Sequence, residues 1–405
     1  MVGRGGPRPL GRFRRRPLAT AITAAVAGAA LLGPRAVPAI VSRALRPTLR
    51  PPYLASDEAA ALHATLRIVD LHADSLLWGR DLARRSTLGH LDVPRLVEGN
   101  VAVQVLSAAT RFPIPPRLSG NDGRRDLIGP IAVVGGWPRS TWRSPLARAL
   151  LVAERADRLE RAAAGRFVVV RSTGDLARHL DARATHPGAT AGLLSIEGAW
   201  ALDGDVANLD RLVAAGFRIF GLAHFGDNAF AGSAHGIERG GLTRPGRELV
   251  RRLEVASVLV DLAHASPRTI DDVVAVASRP VIASHTGVAA TCPSIRNLSD
   301  DQLRAIASTG GLVGVGFWPM ATCGRDVAAI ARAIEHTVAV AGIGHVALGS
   351  DWDGAPGIPI DASGLVLLTE ALLAGGLDEP AIRAVMGENA LALLAATLPP
   401  DEEAA

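Results

Sequence analysis

The chain has 405 residues, 48% apolar and 20% charged, so it can bury a large core and is neither disordered nor fibrous. All 43 basic residues are arginine, and the absence of lysine excludes a Schiff base, a Walker-type lysine and a carboxylated-lysine metal bridge. Residues 1–56 carry ten arginines and no acid, whereas residues 57–405 carry 33 arginines against 39 acids, a balance that argues against a nucleic-acid surface.

The N-terminus has the composition of an export or anchoring element. Six arginines precede eighteen uncharged residues, Pro17 to Pro34, which are rich in Ala and Leu. A basic segment followed by an apolar one is typical of a secretory signal, and its length is at the short end of what spans a bilayer. We expect residues 1–39 to be a signal peptide or an N-terminal membrane anchor, with a disordered extension as the alternative. The protein would then be exported, periplasmic or extracellular, or held at the membrane, with residues 40–56 as a Pro/Arg-rich linker.

Downstream, short apolar runs alternate with helical patterns. Continuous apolar strands separated by helices are typical of parallel strands buried on both faces. Eight such strands predict an α/β fold, a (β/α)8 TIM-like barrel over residues 57–405, with residues in the 120s and 130s as a long irregular insertion. The expected strands are Leu66–Leu71, Val101–Ser107, Ala191–Glu197, Arg218–His224, Val258–His264, Val281–His285, Leu312–Phe317 and Val346–Asp351. The expected helices include Arg148–Ala164, Leu209–Ala215, Arg247–Val255, Pro267–Ala277, Asp300–Ser308 and Val327–Ala341.

Metal-type side chains close several of these strands, at the ends where barrel enzymes place their chemistry. His72 and Asp74 lie two residues apart and so face the same way, although a surface pair is the simpler interpretation of that motif alone. Glu197 follows an apolar run, where an ionised carboxylate needs a cation or a donor, so it could bridge two metals or pair with an arginine. His264 and His285 end two consecutive strands, which suits a second metal.

Other residues are candidates for substrate chemistry. His224 ends a strand and could polarise a substrate carbonyl, whereas His235 could brace its own Gly-rich loop. Arg296 could grip a substrate carboxylate, and Asp351 lies where a general acid/base is needed. Asp353 could bind the loop backbone instead, as Asp before Gly does in turns. The histidines outside the strand ends are expected to be surface or local structural residues: His63, His90, His179, His186, His336 and His345.

The order of these motifs resembles the membrane dipeptidase (renal dipeptidase) family, from about residue 65 to 395. The segments that carry the resemblance are DLHAD (70–74), SIEG (195–198), GLAH (221–224), GLT (241–243), VDLAHAS (260–266), SH (284–285), Cys292 through Arg296 and Asn297, and GSDWDG (349–354). Two departures stand out. The segment after His224 lacks a cysteine found in mammalian members, and region 111–143 matches nothing in the family pattern.

The resemblance implies a metal-dependent-hydrolase barrel with two Zn2+ per chain. By this resemblance His72 and Asp74 bind one zinc, Glu197 bridges both, and His264 and His285 bind the other. A hydroxide between the metals would attack the peptide carbonyl, because zinc lowers the pKa of bound water to about 7.

The same resemblance assigns the substrate contacts. His224 would contact the scissile carbonyl oxygen, Arg296 the substrate carboxylate, and Asp351 would be the acid/base. It also implies a disulfide between Cys292 and Cys323, which the spacing alone does not decide against two free thiols.

We therefore expect an exported zinc dipeptidase whose partner is a small dipeptide, with a C-terminal D-residue and a homodimer both left open. Nucleic acid is not expected as a partner, and the membrane only through the N-terminal segment. The alternatives are another amidohydrolase-type hydrolase, acting on a lactone, phosphoester or N-acyl amino acid, and a non-catalytic zinc-stabilised envelope protein.

Overall fold

The structure, a computed structural model, describes residues 36–114 and 117–401. Its sheet contains nine strands, each parallel to its neighbours: β1 Ile68–Asp70, β2 Val101–Ala109, β3 Phe167–Val169, β4 Thr190–Glu197, β5 Phe217–Gly221, β6 Leu259–Asp261, β7 Ile282–Thr286, β8 Leu312–Val315 and β9 Val346–Leu348. The strand order is β2-β1-β9-β8-β7-β6-β5-β4-β3, and pairing of β2 with β4 closes eight strands into a barrel. Every predicted strand lies in that ring, so the (β/α)8 prediction is confirmed. The added strand, β3, pairs with β4 beside the ring.

Helices follow most of the strands and surround the barrel. Their bounds are α1 Ala36–Ala44, α2 Asp57–Ala64, α3 Val93–Glu98, α4 Ile128–Val134, α5 Pro145–Ala162, α6 Thr173–Thr185, α7 Asn208–Ala214, α8 Arg244–Val255, α9 Pro267–Val276, α10 Asp300–Ser308, α11 Pro319–Thr322, α12 Val327–Ala341, α13 Val366–Ala374, α14 Glu379–Arg383 and α15 Asn389–Thr397. Sequence sets several of the starts directly. Ser266 caps α9 by accepting from the Thr269 amide, with Pro267 at the first position, and Ser299 and Gln302 form a capping box on α10.

Successive strand side chains point to opposite faces, so the strands supply two separate apolar layers. One cluster, which includes Val69, Leu193, Ile219 and Ile282, fills the barrel. A larger cluster packs between the strands and the surrounding helices. Because both faces are buried, the strand sequences are unbroken apolar runs. Because the strands are parallel, their carboxyl ends meet at one rim.

Two segments depart from the sequence expectations. The 120s and 130s, expected to be a long irregular insertion, contain α4, and a 3-10 turn over Arg139–Trp142 follows. Residues 40–56 begin inside α1. Val41 of this helix and Leu45 directly after it are fully buried in a cluster with residues of α4 and the turn after β1. The stretch predicted as a linker therefore starts as a packed helix, because its apolar residues at i and i+4 face the same side.

The predicted signal or anchor helix, Pro17 to Pro34, lies outside the described residues. Within residues 36–114 and 117–401, no helix has the length and apolar character needed to cross a bilayer.

Candidate metal centre

Glu197, at the end of β4, lies at the centre of a ring of imidazoles. Its Oε1 is 3.0 Å from His264 Nε2, 3.4 Å from His285 Nε2 and 3.7 Å from His72 Nε2. Its Oε2 is 3.4 Å from His224 Nε2. All five residues are buried, so four strand ends far apart in sequence converge on one carboxylate.

A second cluster of metal-type side chains lies beside the carboxyl ends of β1 and β9. One ligand-type atom from each of His72, Asp74 and Asp351 lies within 4.8 Å of the others, and His72 Nε2 is 3.7 Å from Asp74 Oδ2. Gly354 makes this approach possible, because a Cβ there would lie 2.1 Å from Asp351 Oδ1 and 2.3 Å from Asp74 Oδ2. Any side chain at position 354 would push these two carboxylates apart.

Behind the centre, two buried carboxylates each accept a hydrogen bond from a serine on or just after a neighbouring strand, and we call each such pair a clasp. Asp261 accepts from the Ser284 hydroxyl at 2.6 Å, and the Ser284 oxygen lies 2.9 Å from His285 Nδ1. Because the serine proton is used on Asp261, Nδ1 of His285 is the donor and its Nε2 keeps a lone pair toward Glu197. Asp70 makes the matching clasp with Ser350 at 2.7 Å, next to Asp351.

Asp353 is a structural anchor, in line with the loop role considered for it. It accepts from Ser75 Oγ and Arg80 Nη2, both at 2.5 Å, and from the His90 amide at 2.7 Å. These bonds join the loop after β9 to the turn after β1, and so hold Asp74 and Asp351 beside each other.

His224 and its neighbours are held by the segment that follows β2. His224 Nδ1 is 3.0 Å from the Arg111 carbonyl, so Nδ1 carries the proton and Nε2 faces Glu197. The rings of Phe112 and Phe225 pack against it, with centroids 5.8 and 4.9 Å away. His235 Nδ1 is 2.7 Å from the Leu118 carbonyl in the same way. Region 111–143 therefore positions two imidazoles of the site.

Arg296 lies on the rim beside β7. Its Nη2 donates to the His285 carbonyl at 2.6 Å and its Nη1 to Thr286 Oγ1 at 3.2 Å. The predicted disulfide between Cys292 and Cys323 is present, with 5.1 Å between the Cα atoms. It ties the loop that contains Arg296 to the end of α11.

The charges around each imidazole differ. Burial alone would lower the pKa of His72, but Glu197 and Asp74 raise it to about 10. Burial lowers the pKa of His264 and His285 well below the ordinary value, with Arg296 contributing in both cases, and lowers that of His224 to about 4. Burial raises the pKa of Asp351 to about 7, an increase that His72 opposes and Asp74 reinforces.

The donor atoms fit metal ions. His72 Nε2 and Asp74 Oδ1 are buried and form no hydrogen bond within the described residues. His264 Nε2, His285 Nε2 and Glu197 Oε1 lie within 3.4 Å of one another, an arrangement of ligand-type atoms that a cation between them would stabilise. Imidazole nitrogen and carboxylate oxygen are the ligands of zinc sites in which Cys is absent.

Distance does not separate the predicted ligands from His224, which lies as close to Glu197 as they do and forms one of the possible metal-holding groups with Glu197 and His264. The six histidines predicted to be surface or local structural residues all lie outside this cluster, and His63, His90 and His179 among them are buried. Sequence reasoning missed Asp70 and Asp261, although a carboxylate inside each apolar run was the signal that could have found them.

A closed parallel barrel with histidines and carboxylates buried at its carboxyl rim is the architecture of a metal-dependent hydrolase. The model of the family Membrane dipeptidase (Peptidase family M19) matches residues 56–398, and the chain belongs to this family. The family resemblance expected from the motifs is therefore confirmed, and membership implies a metal-dependent peptidase, a hydrolase with a small peptide substrate.

Solved structures agree in fold. The dipeptidase AC, a metallopeptidase of the same family, is 30% identical with a TM-score of 0.68, over 82% of this chain and 99% of that one. A metallopeptidase from Rhodobacter sphaeroides, liganded with a phosphinate mimic of the dipeptide L-Ala-D-Ala, is 29% identical with a TM-score of 0.67 over the same shares. An uncharacterized protein in the pqqA 5' region of Klebsiella pneumoniae is 35% identical over 214 residues, 49% of this chain and 79% of that protein.

Proposed function

We propose that this protein is a dipeptidase that works with two zinc ions and hydrolyses the peptide bond of free dipeptides. The observation that carries the proposal is the ring around Glu197, in which one buried carboxylate faces four imidazoles with Asp351 and Arg296 on the rim. Such a set concentrates metal ligands, an acid/base group and a carboxylate-binding cation in one place.

His72 and Asp74 would hold one zinc, His264 and His285 the other, and Glu197 both. When bound, the metals would supply a water of lowered pKa and polarise the substrate carbonyl. The clasp of Asp261 and Ser284 would keep the His285 lone pair aimed at its ion, as partners behind metal-bound histidines do.

Arg296 would orient the substrate. Its guanidinium is buried, and no carboxylate of the described chain forms a salt bridge with it. Burial lowers the pKa of Arg296 to about 10, so it is still charged at neutral pH. A substrate carboxylate would neutralise it through two parallel hydrogen bonds. With the cleaved bond beside Glu197, only a carboxylate one residue beyond that bond would reach Arg296. The substrate would therefore be a dipeptide.

Asp351 would move the proton. A carboxyl group with a pKa near 7 can accept a proton from the attacking water and donate it to the leaving amine at neutral pH. His224 would contact the carbonyl oxygen through Nε2, and it would have to gain a proton there to donate to the oxyanion, because the Arg111 carbonyl already fixes a proton on Nδ1.

We include dipeptides with a C-terminal D-residue in the substrate class, since the Rhodobacter sphaeroides relative was solved with a mimic of L-Ala-D-Ala. We also propose export or membrane anchoring, on the composition of residues 1–39.

The test is hydrolysis by purified, zinc-loaded protein of L-Ala-L-Ala, L-Ala-D-Ala, the tripeptide L-Ala-L-Ala-L-Ala and L-Ala-L-Ala amide. We expect cleavage of a free dipeptide and at least about a hundredfold lower kcat/KM for the amide, since a buried charge loses its partner. Arg296→Ala should remove that preference, with Arg296→Lys intermediate. A zinc-loaded protein that leaves every dipeptide intact would overturn the proposal, and activity on a lactone or phosphoester that survives Arg296→Ala would support the alternative hydrolase.

A further inference from the structure

His235 is a buried histidine beside the centre that the proposed mechanism does not use. It lies in the loop between β5 and α8 and is 1% exposed. Its ring stacks on Phe225 with centroids 4.3 Å apart, and it lies 5.1 Å from the ring of His264. It is therefore part of the wall on the imidazole side of the site.

The hydrogen bonds of His235 fix which ring nitrogen carries the proton. Nδ1 lies 2.7 Å from the Leu118 carbonyl, which can only accept, so Nδ1 is the donor. The amide and side chain of Asn121 both donate to the His235 carbonyl at 3.1 Å, which holds the backbone of this residue. No carboxylate of the described residues forms a salt bridge with His235, and a buried imidazolium without a partner is costly, so the ring is neutral.

Nε2 of His235 is consequently a buried lone pair, and it has no hydrogen-bond partner in the described part of the chain. His235 belongs to none of the three groups of ligand atoms within 4.8 Å of one another, so this nitrogen borders the centre without joining it. A buried acceptor without a donor is costly, which indicates that a donor arrives with a ligand.

The donor can be identified from the substrate. A dipeptide with its carboxylate at Arg296 and its carbonyl carbon beside Glu197 has one nitrogen between those points, the peptide nitrogen. His235 lies beside His264, and Arg296 donates to the His285 carbonyl on the same half of the site, so we place His235 along that part of the substrate. Resting on the proposed function, we propose that His235 Nε2 accepts a hydrogen bond from the peptide N–H of the bound dipeptide, and so selects secondary over N-alkylated peptide bonds.

The contact would also orient the leaving group. With the N–H directed at His235, the lone pair that develops on nitrogen as water adds to the carbonyl carbon points to the opposite half of the site. Asp351 lies there, beside His72 and Asp74. Asp351 passes the proton from the water to this nitrogen, the C–N bond breaks, and a carboxylic acid and an amine leave.

The test compares L-Ala-Gly with L-Ala-sarcosine, which differ by one methyl group on the peptide nitrogen. We expect the wild-type protein to favour L-Ala-Gly, and His235→Phe, which keeps a ring of similar size but has no acceptor, to reduce the ratio of the two kcat/KM values roughly tenfold. His235→Gln, which keeps an acceptor, should retain most of the ratio. His186→Phe, on the surface, is the matched control and should leave the ratio and the zinc content unchanged.

An unchanged ratio in His235→Phe overturns this inference while the dipeptidase proposal stands. If the wild-type protein cleaves no dipeptide, the proposed function fails and the inference with it. Should His235→Phe not fold, the wild-type preference decides, because a kcat/KM for L-Ala-sarcosine equal to that for L-Ala-Gly contradicts a contact with the N–H.

Discussion

The two halves of the metal centre use the same ligand type in opposite electrostatic surroundings. On the β1 and β9 side, His72 lies between Asp74, Glu197 and Asp351, and its pKa is raised to about 10 despite burial. On the β6 and β7 side, His264 and His285 have no carboxylate besides Glu197 within salt-bridge distance among the described residues, and burial lowers their pKa values.

If Glu197 holds both ions, as we propose, the two halves would bind their ions in different ways. The acidic half would attract a cation by its net negative charge, whereas the imidazole half offers neutral rings, of which His285 is held by its hydrogen bond to the Ser284 hydroxyl behind it. Glu197 belongs to both halves, so the account predicts that changes to it affect both ions and that changes elsewhere affect mainly one.

Glu197→Gln should have the largest effect, because it removes the charge that both halves share. We expect both zinc sites to be lost and kcat/KM to fall by more than about ten-thousandfold, beyond the loss expected from a general acid/base alone. Zinc content after gel filtration and kcat/KM for L-Ala-L-Ala measure this. Retention of two tightly bound zinc ions would show that the halves do not depend on a common carboxylate.

Asp351→Asn should act on catalysis and leave the metals in place. The amide has almost the same shape but cannot shuttle the proton, so kcat should fall by about 10^2–10^4-fold. Zinc content and KM should change little. A variant with wild-type kcat would remove Asp351 from the mechanism, and one that loses zinc would make it a ligand.

Ser284→Ala and Ser350→Ala test the two clasps against each other. Loss of Ser284 frees the His285 ring, so zinc affinity at the imidazole half should fall by roughly 10–100-fold. Each variant keeps the serine amide bonded to its aspartate, but the Ser350 hydroxyl touches no imidazole, so the effect of Ser350→Ala should be smaller. Competition with a zinc chelator gives both affinities, and equal losses would mean that the clasps support the barrel alone.

The smallest effect is in the pH dependence of the metal-free protein. The folded pKa values of His264 and His285 lie below the unfolded value of about 6.5, so the unfolded chain binds protons first and stability falls as pH drops below that value. The limiting slope is about 1.4 kcal/mol per pH unit for each ring. His72 has the opposite sign, since its contribution is complete below about 6.5 and is lost as pH rises through about 10.

Nuclear magnetic resonance of the histidine rings in metal-free protein measures the pKa of each of these three histidines separately. At pH 7.5 we expect a protonated His72 beside neutral His264 and His285. A common midpoint near 6.5 for all three rings would contradict the division into an acidic and an imidazole half.

Much of the fold followed from sequence because buried parallel strands leave unbroken apolar runs. All eight ring strands were predicted, and the shared rim of such strands is why His72, Glu197 and His264 could be expected to meet. By contrast β3, which pairs with β4 beside the ring, and α4, within a Gly- and Pro-rich region, depend on tertiary packing that periodicity does not report.

The sequence predicted the proposed metal ligands better than it predicted the residues that hold those ligands in position. The clasps of Asp70 and Asp261 join residues about 280 and 23 positions apart, and no local pattern marks such pairs. The role of the Arg111 and Leu118 carbonyls is also hidden, because a backbone acceptor leaves no signature in residue type. The opposite pKa shifts of His72 and His264 follow from burial and charge together, which only the folded chain defines.

The central claim is that Glu197 joins two metal sites, and an anomalous-scattering map from zinc-soaked crystals tests it most directly. The account predicts two peaks about 3.5–4 Å apart with the Glu197 carboxylate between them. A single peak away from Glu197, or no peak within reach of His72 and His264, would contradict it.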